Sequence, residues 1–418
     1  MKVLIVGSGG REHALVWKIK QSPRVEEIFV ASGNGGTTEI AKNIDIKDDD
    51  VKGLVDFAVK NKIDLTIVGP EVPLTLGIVD EFETKKLRIF GPNKVAAKLE
   101  GSKAWAKELI QRHGIPCAKS ETFANYSEAL RHLDDISLPI VLKADGLASG
   151  KGVLICKTRK EAKDGIKKIM VEKEFGVSGD KLVVEEFLEG QEVSVLAFTD
   201  GKTICPMVPV CDYKRALDNN EGPNTGGMGV YSPPAFYTKE LEQEIFEKVL
   251  KPTLEVLRQE GVGYKGVLYA GLMLTAEGPK VLEYNCRFGD PETEVILPRL
   301  KTDIIDILEA IIDEKLGEVN IDWNNNSCVG VVLASGGYPG QYKTGVQING
   351  LGQINNAIVF HAGTRVEEGK ILTAGGRVLC VVSEGKNIKE AWEKVYNEVG
   401  KINFEGMHFR SDIGLREL

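Results

Sequence analysis

The sequence predicts a multidomain protein of mixed α/β and α+β class: an N-terminal parallel α/β domain, a central two-lobed domain and a small β-rich C-terminal domain. Three observations point there. A chain of 418 residues exceeds what one hydrophobic core usually organises. Its N-terminal segment alternates short β-rich runs with helix-like stretches, which is the pattern of a parallel sheet. Its C-terminal segment carries short apolar runs separated by glycine-rich turns.

The first domain, residues 1–100, contains the strand-like runs KVLIVG, EIFVAS, LTIVGP and LRIFGP, with helical stretches at Arg11–Gln21 and Val51–Lys60. The turn Gly91-Pro92-Asn93 precedes one or two helices over Lys94–Arg112, which lead into the second domain, residues 101–318. Its small lobe, about 115–195, reads as PIVLKADG, GVLICKT, a helix at Arg159–Val171, then LVVEEFL and EVSVLAFT. Between Val208 and Pro234 the chain is polar and glycine-rich, and is expected as a long functional loop. A helix at Lys239–Gln259, the strands GVLYAGLML and PKVLEYNC and a helix at Asp303–Lys315 complete this domain. Beyond the hydrophilic Asn320–Asn326, the third domain, 319–418, has the strands SCVGVVLASGG, AIVFHAGT and GRVLCVVSEG and a helix at Ile388–Gly400.

Composition narrows the function. The 42% hydrophobic and 27% charged residues fit an ordinary globular protein rather than a disordered one. The net charge of −8 argues against nucleic acid or an anionic membrane as the main partner. No apolar run approaches the roughly 20 residues of a membrane span, and KVLIVG follows Met1 as a strand rather than a signal sequence. A cytoplasmic location is expected. The seven cysteines include no CxxC pair and the histidines are scattered, so neither a disulfide framework nor a zinc site is expected.

Several segments carry chemistry. GSGGREH, Gly7 to His13, ends a strand and opens a helix, so it is either a phosphate cradle or a plain tight turn. Glu12 stands where a dinucleotide fingerprint has its third glycine, which disfavours a nicotinamide cofactor. ADGLASGKG, Ala144 to Gly152, offers flexible backbone with Lys143 and Lys151, but Gly152 stands where a Walker A loop needs Ser or Thr. In VLEYNCRFGDPETE, Glu283 and Asn285 alternate along a strand and present two oxygen ligands suited to Mg²⁺; an incidental acid on a half-buried strand is the plain alternative. Arg287 supplies a planar fork for a carboxylate or phosphate, and Asp290-Pro291-Glu292 could hold an ammonium group. GPNTGGMG, Gly222 to Gly229, can fold closely over a ligand.

The ordered set GSGGREHA, GSKAWAK, KADGLASGKG, VVEEFLEGQEVS, GPNTGGMG, YAGLML, LEYNCRFGDPE and HAGT before GGRVL resembles the glycinamide ribonucleotide synthetases, a family of ATP-grasp ligases, over essentially the whole chain. The resemblance implies a biotin-carboxylase-type N-terminal domain, a central ATP-grasp domain and a small C-terminal domain. It implies that glycine is joined to 5-phosphoribosylamine at the expense of ATP, with Mg²⁺ (or Mn²⁺), in purine (IMP) biosynthesis, by a monomer or weak oligomer. ATP would meet Lys103 and Lys143, the closing loop Ser149, Gly150, Lys151 and Gly152, the segment Glu185, Glu186, Phe187 and Leu188, and Glu192. Glu283 and Asn285 would hold the metal. The substrates would meet Gly9, Gly10, Arg11, Asp212, Lys214, Asn224, Thr225, Gly226, Gly227, Arg287, Asp290 and Pro291, with Lys143, Arg287 and Asp290 closest to the chemistry. Two departures stand out. The strand GVLYAGLML lacks the acid that many ATP-grasp relatives use as a further metal ligand, and Tyr213 replaces a histidine expected in DHKR.

Overall fold

The computed structural model describes residues 1–147 and 152–418. Ser149, Gly150 and Lys151 therefore lie outside the described residues. Five parallel strands, β1 (Lys2–Gly7), β2 (Glu27–Ser32), β3 (Lys42–Ile44), β4 (Leu65–Val68) and β5 (Ile89–Phe90), form the first sheet in the order β3-β2-β1-β4-β5. Alternate side chains of β1 enter two cores: Val3 and Ile5 join Leu15 and Ile19, while Leu4 and Val6 join Leu54 and Phe82. A strand covered on both faces has to be apolar throughout, which is why KVLIVG reads as an unbroken run. Strand order reverses between β1 and β4, and the Gly7–Arg11 turn stands at that crevice, where open α/β sheets bind ligands.

The small lobe is an antiparallel sheet of β6 (Ser120–Phe123), β7 (Ile140–Ala144), β8 (Val153–Cys156) and β9 (Leu182–Glu186) in the order β6-β9-β7-β8. The helix Arg159–Met170 starts with a capping box between Thr158 and Glu161 and buries Ala162, Ile166 and Ile169 against it.

Next come β10 (Gln191–Thr199), β11 (Ile204–Pro206), β12 (Cys211–Asp212), β13 (Arg215–Leu217), β14 (Glu221–Asn224), β15 (Gly229–Ser232), β16 (Gly266–Thr275) and β17 (Gly278–Asn285). Strands β11-β10-β16-β17 form the antiparallel sheet of the large lobe. The stretch expected as one long loop is instead four short strands. β12 pairs with β15 and β13 with β14, so this polar segment is structured by backbone pairing rather than by an apolar pattern. The single helix expected over Lys239–Gln259 is two, Lys239–Ile245 and Lys251–Gln259, joined by a wider turn at Phe246–Leu250. Pro252 has no N–H for the carbonyl of Lys248, which forces the irregularity.

The last strands are β18 (Ser327–Ala334), β19 (Ile358–His361), the hairpin β20 (Thr364–Glu367) and β21 (Lys370–Thr373), and β22 (Arg377–Gly385). They complete a sheet in the order β12-β15-β18-β22-β19, so two strands of the central region continue the C-terminal sheet. The buried helix Glu292–Arg299 lies between the helix Gly10–Ile19 and strands β15 and β18. One core accordingly joins Val3, Phe198, Phe288, Val295 and Phe360 across the whole chain.

Candidate active site

A cleft of about 840 Å³ lies between the small-lobe sheet and the β11-β10-β16-β17 sheet and extends to the N-terminal turn and β22. Its apolar end is formed by Val141, Val153, Ile155, Leu188, Met273 and Leu282. Lys103, Lys143, Gly152, Glu185, Glu186, Phe187, Glu192, Asp212, Lys214, Asn224, Thr225, Gly226, Glu283, Asn285, Arg287, Asp290 and Arg11 also line it. Gly9, Gly10, Gly227 and Pro291 are not among the lining residues. Gly227, at φ +119, packs against Pro291, and an added Cβ would come within 2.4 Å of the proline ring.

Next to the apolar end stands a buried ionic triad. Lys143 Nζ lies 2.9 Å from Glu185 Oε2, and Lys107 Nζ lies 3.2 Å from Glu185 Oε1. Lys143 also donates to the carbonyl of Leu282 at 2.9 Å. That carbonyl is available because Leu282 is the extra residue where Gly271 pairs with Glu283 and Leu272 with Val281. Lys103 donates to the carbonyl of Gly146 at 2.8 Å. Burial lowers the pKa of both Lys103 and Lys107, against the raising effect of nearby carboxylates. Glu185 lines the cleft, where its carboxylate bridges two lysines, and Lys107 is a cleft residue that the sequence did not single out.

Glu283 and Asn285 both reach the cleft from β17. Burial pushes the Glu283 carboxyl up, but Lys214, Lys143 and Lys103 outweigh it and hold its pKa at about 2. Lys214 Nζ sits 3.5 Å from both Glu192 and Glu283. Burial opposes its charge, yet these carboxylates raise its pKa. Asn285 Oδ1 accepts from Arg287 Nη2 at 3.2 Å, leaving a second lone pair for another partner. An ionised carboxylate and an amide oxygen fit a hard divalent cation. Among the described residues no group of three or more His, Cys, Asp or Glu forms a metal cage, so phosphate oxygens and water would have to complete the coordination.

Deeper in, Arg287 is held by Glu71 at 3.1 Å and Glu100 at 3.0 Å. Asp290 receives Arg377 Nη2 at 2.9 Å and the Arg11 amide at 3.3 Å. Beside them Tyr269 donates to Glu292 at 2.6 Å, and Asp212 Oδ1 is buried with no hydrogen-bond partner. Burial and the neighbouring Glu292 raise the Asp212 pKa well above the usual carboxylate range. A buried oxygen of this kind can accept from water or from a donor on a ligand.

The N-terminal turn differs from a simple phosphate cradle. The Gly9 amide donates to Glu12 Oε2 at 2.5 Å, and Arg11 Nε pairs with Glu12 Oε1 at 2.6 Å. Added Cβ atoms at Gly7 and Gly69 would meet the Glu12 carboxylate at 2.6 and 1.9 Å, and one at Gly10 would meet Glu294 at 2.4 Å. The carboxylate of Glu12 thus fills the crevice at the strand ends where a dinucleotide phosphate would approach.

Comparison with known proteins agrees with the fold. The sequence profiles of the phosphoribosylglycinamide synthetase N domain, ATP-grasp (A) domain and C domain match residues 1–100, 101–293 and 328–416. The chain is 51% identical over 413 residues to the phosphoribosylamine–glycine ligase of Caldanaerobacter subterraneus subsp. tengcongensis, covering 99% of both chains. It is 48% identical to that of Vibrio parahaemolyticus over 100% of this chain and 99% of the relative. The crystal structure of Thermotoga maritima phosphoribosylamine–glycine ligase superposes with a TM-score of 0.85 at 34% identity, covering 99% and 100% of the two chains. Campylobacter jejuni biotin carboxylase, at 15% identity and a TM-score of 0.75 over 99% and 94% of the chains, shares the fold. The chain belongs to the phosphoribosylglycinamide synthetase family.

Proposed function

We propose that the protein ligates glycine to 5-phosphoribosylamine with ATP, giving glycinamide ribonucleotide, ADP and phosphate, through a glycyl phosphate intermediate. The observation that carries this is one cleft holding a lysine cluster, an ionised Glu283 beside Asn285, and a buried Asp212 oxygen that lacks a donor. The adenine ring would lie in the apolar end, along Glu186, Phe187 and Leu188, with the ribose near Glu192. Lys103 and Lys143 would meet the phosphates, neutralising charge as the γ-phosphoryl group transfers. Glu283 and Asn285 would hold Mg²⁺ or Mn²⁺, which when bound supplies further neutralisation of the phosphate oxygens.

Glycine's carboxylate oxygen attacks the γ-phosphorus and ADP leaves. The amine of phosphoribosylamine then attacks the acyl carbon, the C–O bond to phosphate breaks, and nitrogen loses a proton as the amide forms. Asp212 would receive the glycine ammonium. Arg287 would face its carboxylate once one of its bonds to Glu71 or Asn285 is exchanged, and the sugar phosphate would lie toward Arg11 and Arg377, with Asn224, Thr225 and Gly226 beside it. The Gly9 and Gly10 amides would join only if Glu12 releases them. Ser149, Gly150 and Lys151, outside the described residues, retain their proposed role in closing over ATP and excluding water from the acyl phosphate. Division into units 1–100, 101–318 and 319–418 and action in the cytoplasm as a monomer or weak oligomer, apart from nucleic acid and membranes, complete the reading. No helix among the described residues is long and apolar enough to cross a membrane.

The test is ADP release with each component omitted in turn. Release is expected to need ATP, divalent metal, glycine and freshly generated phosphoribosylamine together, and to fall at least a hundredfold in Glu283→Ala with folding intact. Release independent of glycine, or unaffected by Glu283→Ala, would overturn the proposal.

A further inference from the structure

The hairpin β13–β14 cannot hold itself in place. It has two registered pairs, Arg215 with Asn224 and Leu217 with Glu221, and an isolated two-stranded ribbon is at best marginally stable. Its tip, Asn219 and Asn220, turns through left-handed backbone at φ 58 and 57. Yet this hairpin and its flanks carry Asp212, Lys214, Asn224 and Thr225 into the cleft.

What holds it is the end of the chain. His408 Nε2 donates to the Ala216 carbonyl at 2.7 Å. Arg410, fully buried, donates to the Arg215 carbonyl at 3.0 Å and to Asn220 Oδ1 at 3.1 Å, and is itself aimed by Asp412. The Ser411 amide donates to Asp218 at 2.9 Å, and Asp412 accepts the Asn219 amide at 3.0 Å. Tyr213 lies between two guanidinium groups, Arg410 at 4.6 Å and Arg416 at 5.3 Å from its ring, and its hydroxyl accepts the Gly414 amide at 3.1 Å. Arg416 reaches Cys211 and donates to Tyr231 at 2.8 Å, while Glu417 accepts from Tyr231 at 2.6 Å. Seven of the ten residues from Cys211 to Asn220 therefore meet the segment 408–417, and Asp212 and Lys214 are flanked by residues that do. Tyr213 stands at the centre of this contact.

We propose that the C-terminal segment His408–Glu417 is a positioning strap for the substrate wall of the cleft, with Arg410, Asp412 and Arg416 as positioning residues that fix hairpin β13–β14 and, through it, Asp212 and Lys214. The strap rests on the ligase reading for its kinetic consequence and on geometry alone for its mechanical one. Small displacements of a positioning wall are costly to turnover, because reacting groups must be held within a fraction of an ångström.

The test uses the full chain with Asp218→Ala at the hairpin tip, Ser411→Ala on the strap, both at a contact away from the cleft lining, and a double variant. Arg410→Ala is avoided as the main probe because loss of a fully buried, paired guanidinium endangers folding. Each single variant is expected to speed amide exchange in 213–224 at least tenfold and to raise the KM for glycine and phosphoribosylamine at least fivefold. The Kd for ATP stays within threefold, and the double variant is no worse than Asp218→Ala alone, which removes the Asp218 bonds to both the amide and the hydroxyl of Ser411, whereas Ser411→Ala removes only the hydroxyl bond. A lowered Tm with unchanged KM values would overturn the proposal and leave the segment merely structural. Unchanged exchange in both variants would also overturn it. If the unmodified protein failed to turn over glycine and phosphoribosylamine, the ligase reading would fail, while the exchange measurement would still decide whether the strap holds the hairpin.

Discussion

Lys107 shows how a single residue shapes the site from behind. It shares Glu185 with Lys143, so the carboxylate that aims Lys143 into the cleft is itself held by a second buried cation. Lys107→Met leaves Glu185 with half its counter-charge in a nearly solvent-free position. Breaking one side of a buried ion pair costs about 3 kcal/mol, so a loss of this size is expected in urea unfolding. A fall of about tenfold or more in kcat/KM for ATP should accompany it, as Lys143 loses its fixed position, and steady-state kinetics check that directly. The sequence pointed to Lys143 because it precedes a glycine-rich motif, and to Lys103 through the family resemblance. Lys107 lies one helical turn from Lys103 in a helix where a lysine reads as solvated, and it is the approach of β9 and β17 that buries it. Glu12 failed in the opposite way: its place in GSGGREH was plain, but that its carboxylate would occupy the crevice depended on Gly69, just past the end of β4.

At the scale of elements, the helix Gly10–Ile19 meets β19 through two imidazoles. His13 Nδ1 accepts the His361 amide at 2.8 Å, and their ring centroids are 5.5 Å apart. Burial holds His361 at a pKa of about 4. Burial, then the neighbouring His361, holds His13 at about 3. Unfolded, both return to about 6.5, so the unfolded chain binds the extra protons. The stability of this contact is complete above pH about 6.5 and is lost as pH falls toward 4 and 3, by up to about 1.4 kcal/mol per pH unit for each imidazole. Urea midpoints measured between pH 7.5 and 5 are expected to fall, with a shallower slope in His13→Asn, whose amide oxygen can replace Nδ1 as acceptor; an identical slope would contradict this account. Elements with a strong apolar period, such as β1 and Arg159–Met170, were legible because their own side chains specify both geometry and burial. The strands β12 to β15 were not, since the pairing of β15 with β18 joins residues far apart in a polar, glycine-rich sequence.

At the scale of the whole molecule, the cores divide unevenly. Residues of the first sheet, the large lobe and one face of the C-terminal sheet pack into common cores, and the other face of that sheet packs with the helix Ile388–Val399 and with Cys211 and Tyr213 of the central region, whereas Ile140, Leu142, Ile166, Ile169, Leu182 and Val184 form a core drawn from the small lobe alone. Local stability follows such packing units, so the small lobe is expected to open at lower free energy than the remainder. Hydrogen exchange should find the amides of β6 to β9 less protected than those of β1, β10 and β16, with ATP and metal narrowing the gap; equal protection in both would contradict it. The three-part architecture was legible from length and pattern, but the sharing of one sheet and one core across its parts was not, because contacts between distant segments leave no period in either. The claim that ties these parts together is that glycine's carboxylate is activated by ATP before the amide forms. Its most direct test is turnover of glycine labelled with ¹⁸O in the carboxylate, with ATP, divalent metal and freshly generated phosphoribosylamine. The account predicts that each phosphate released carries a single labelled oxygen and each amide the other; phosphate free of label would contradict it.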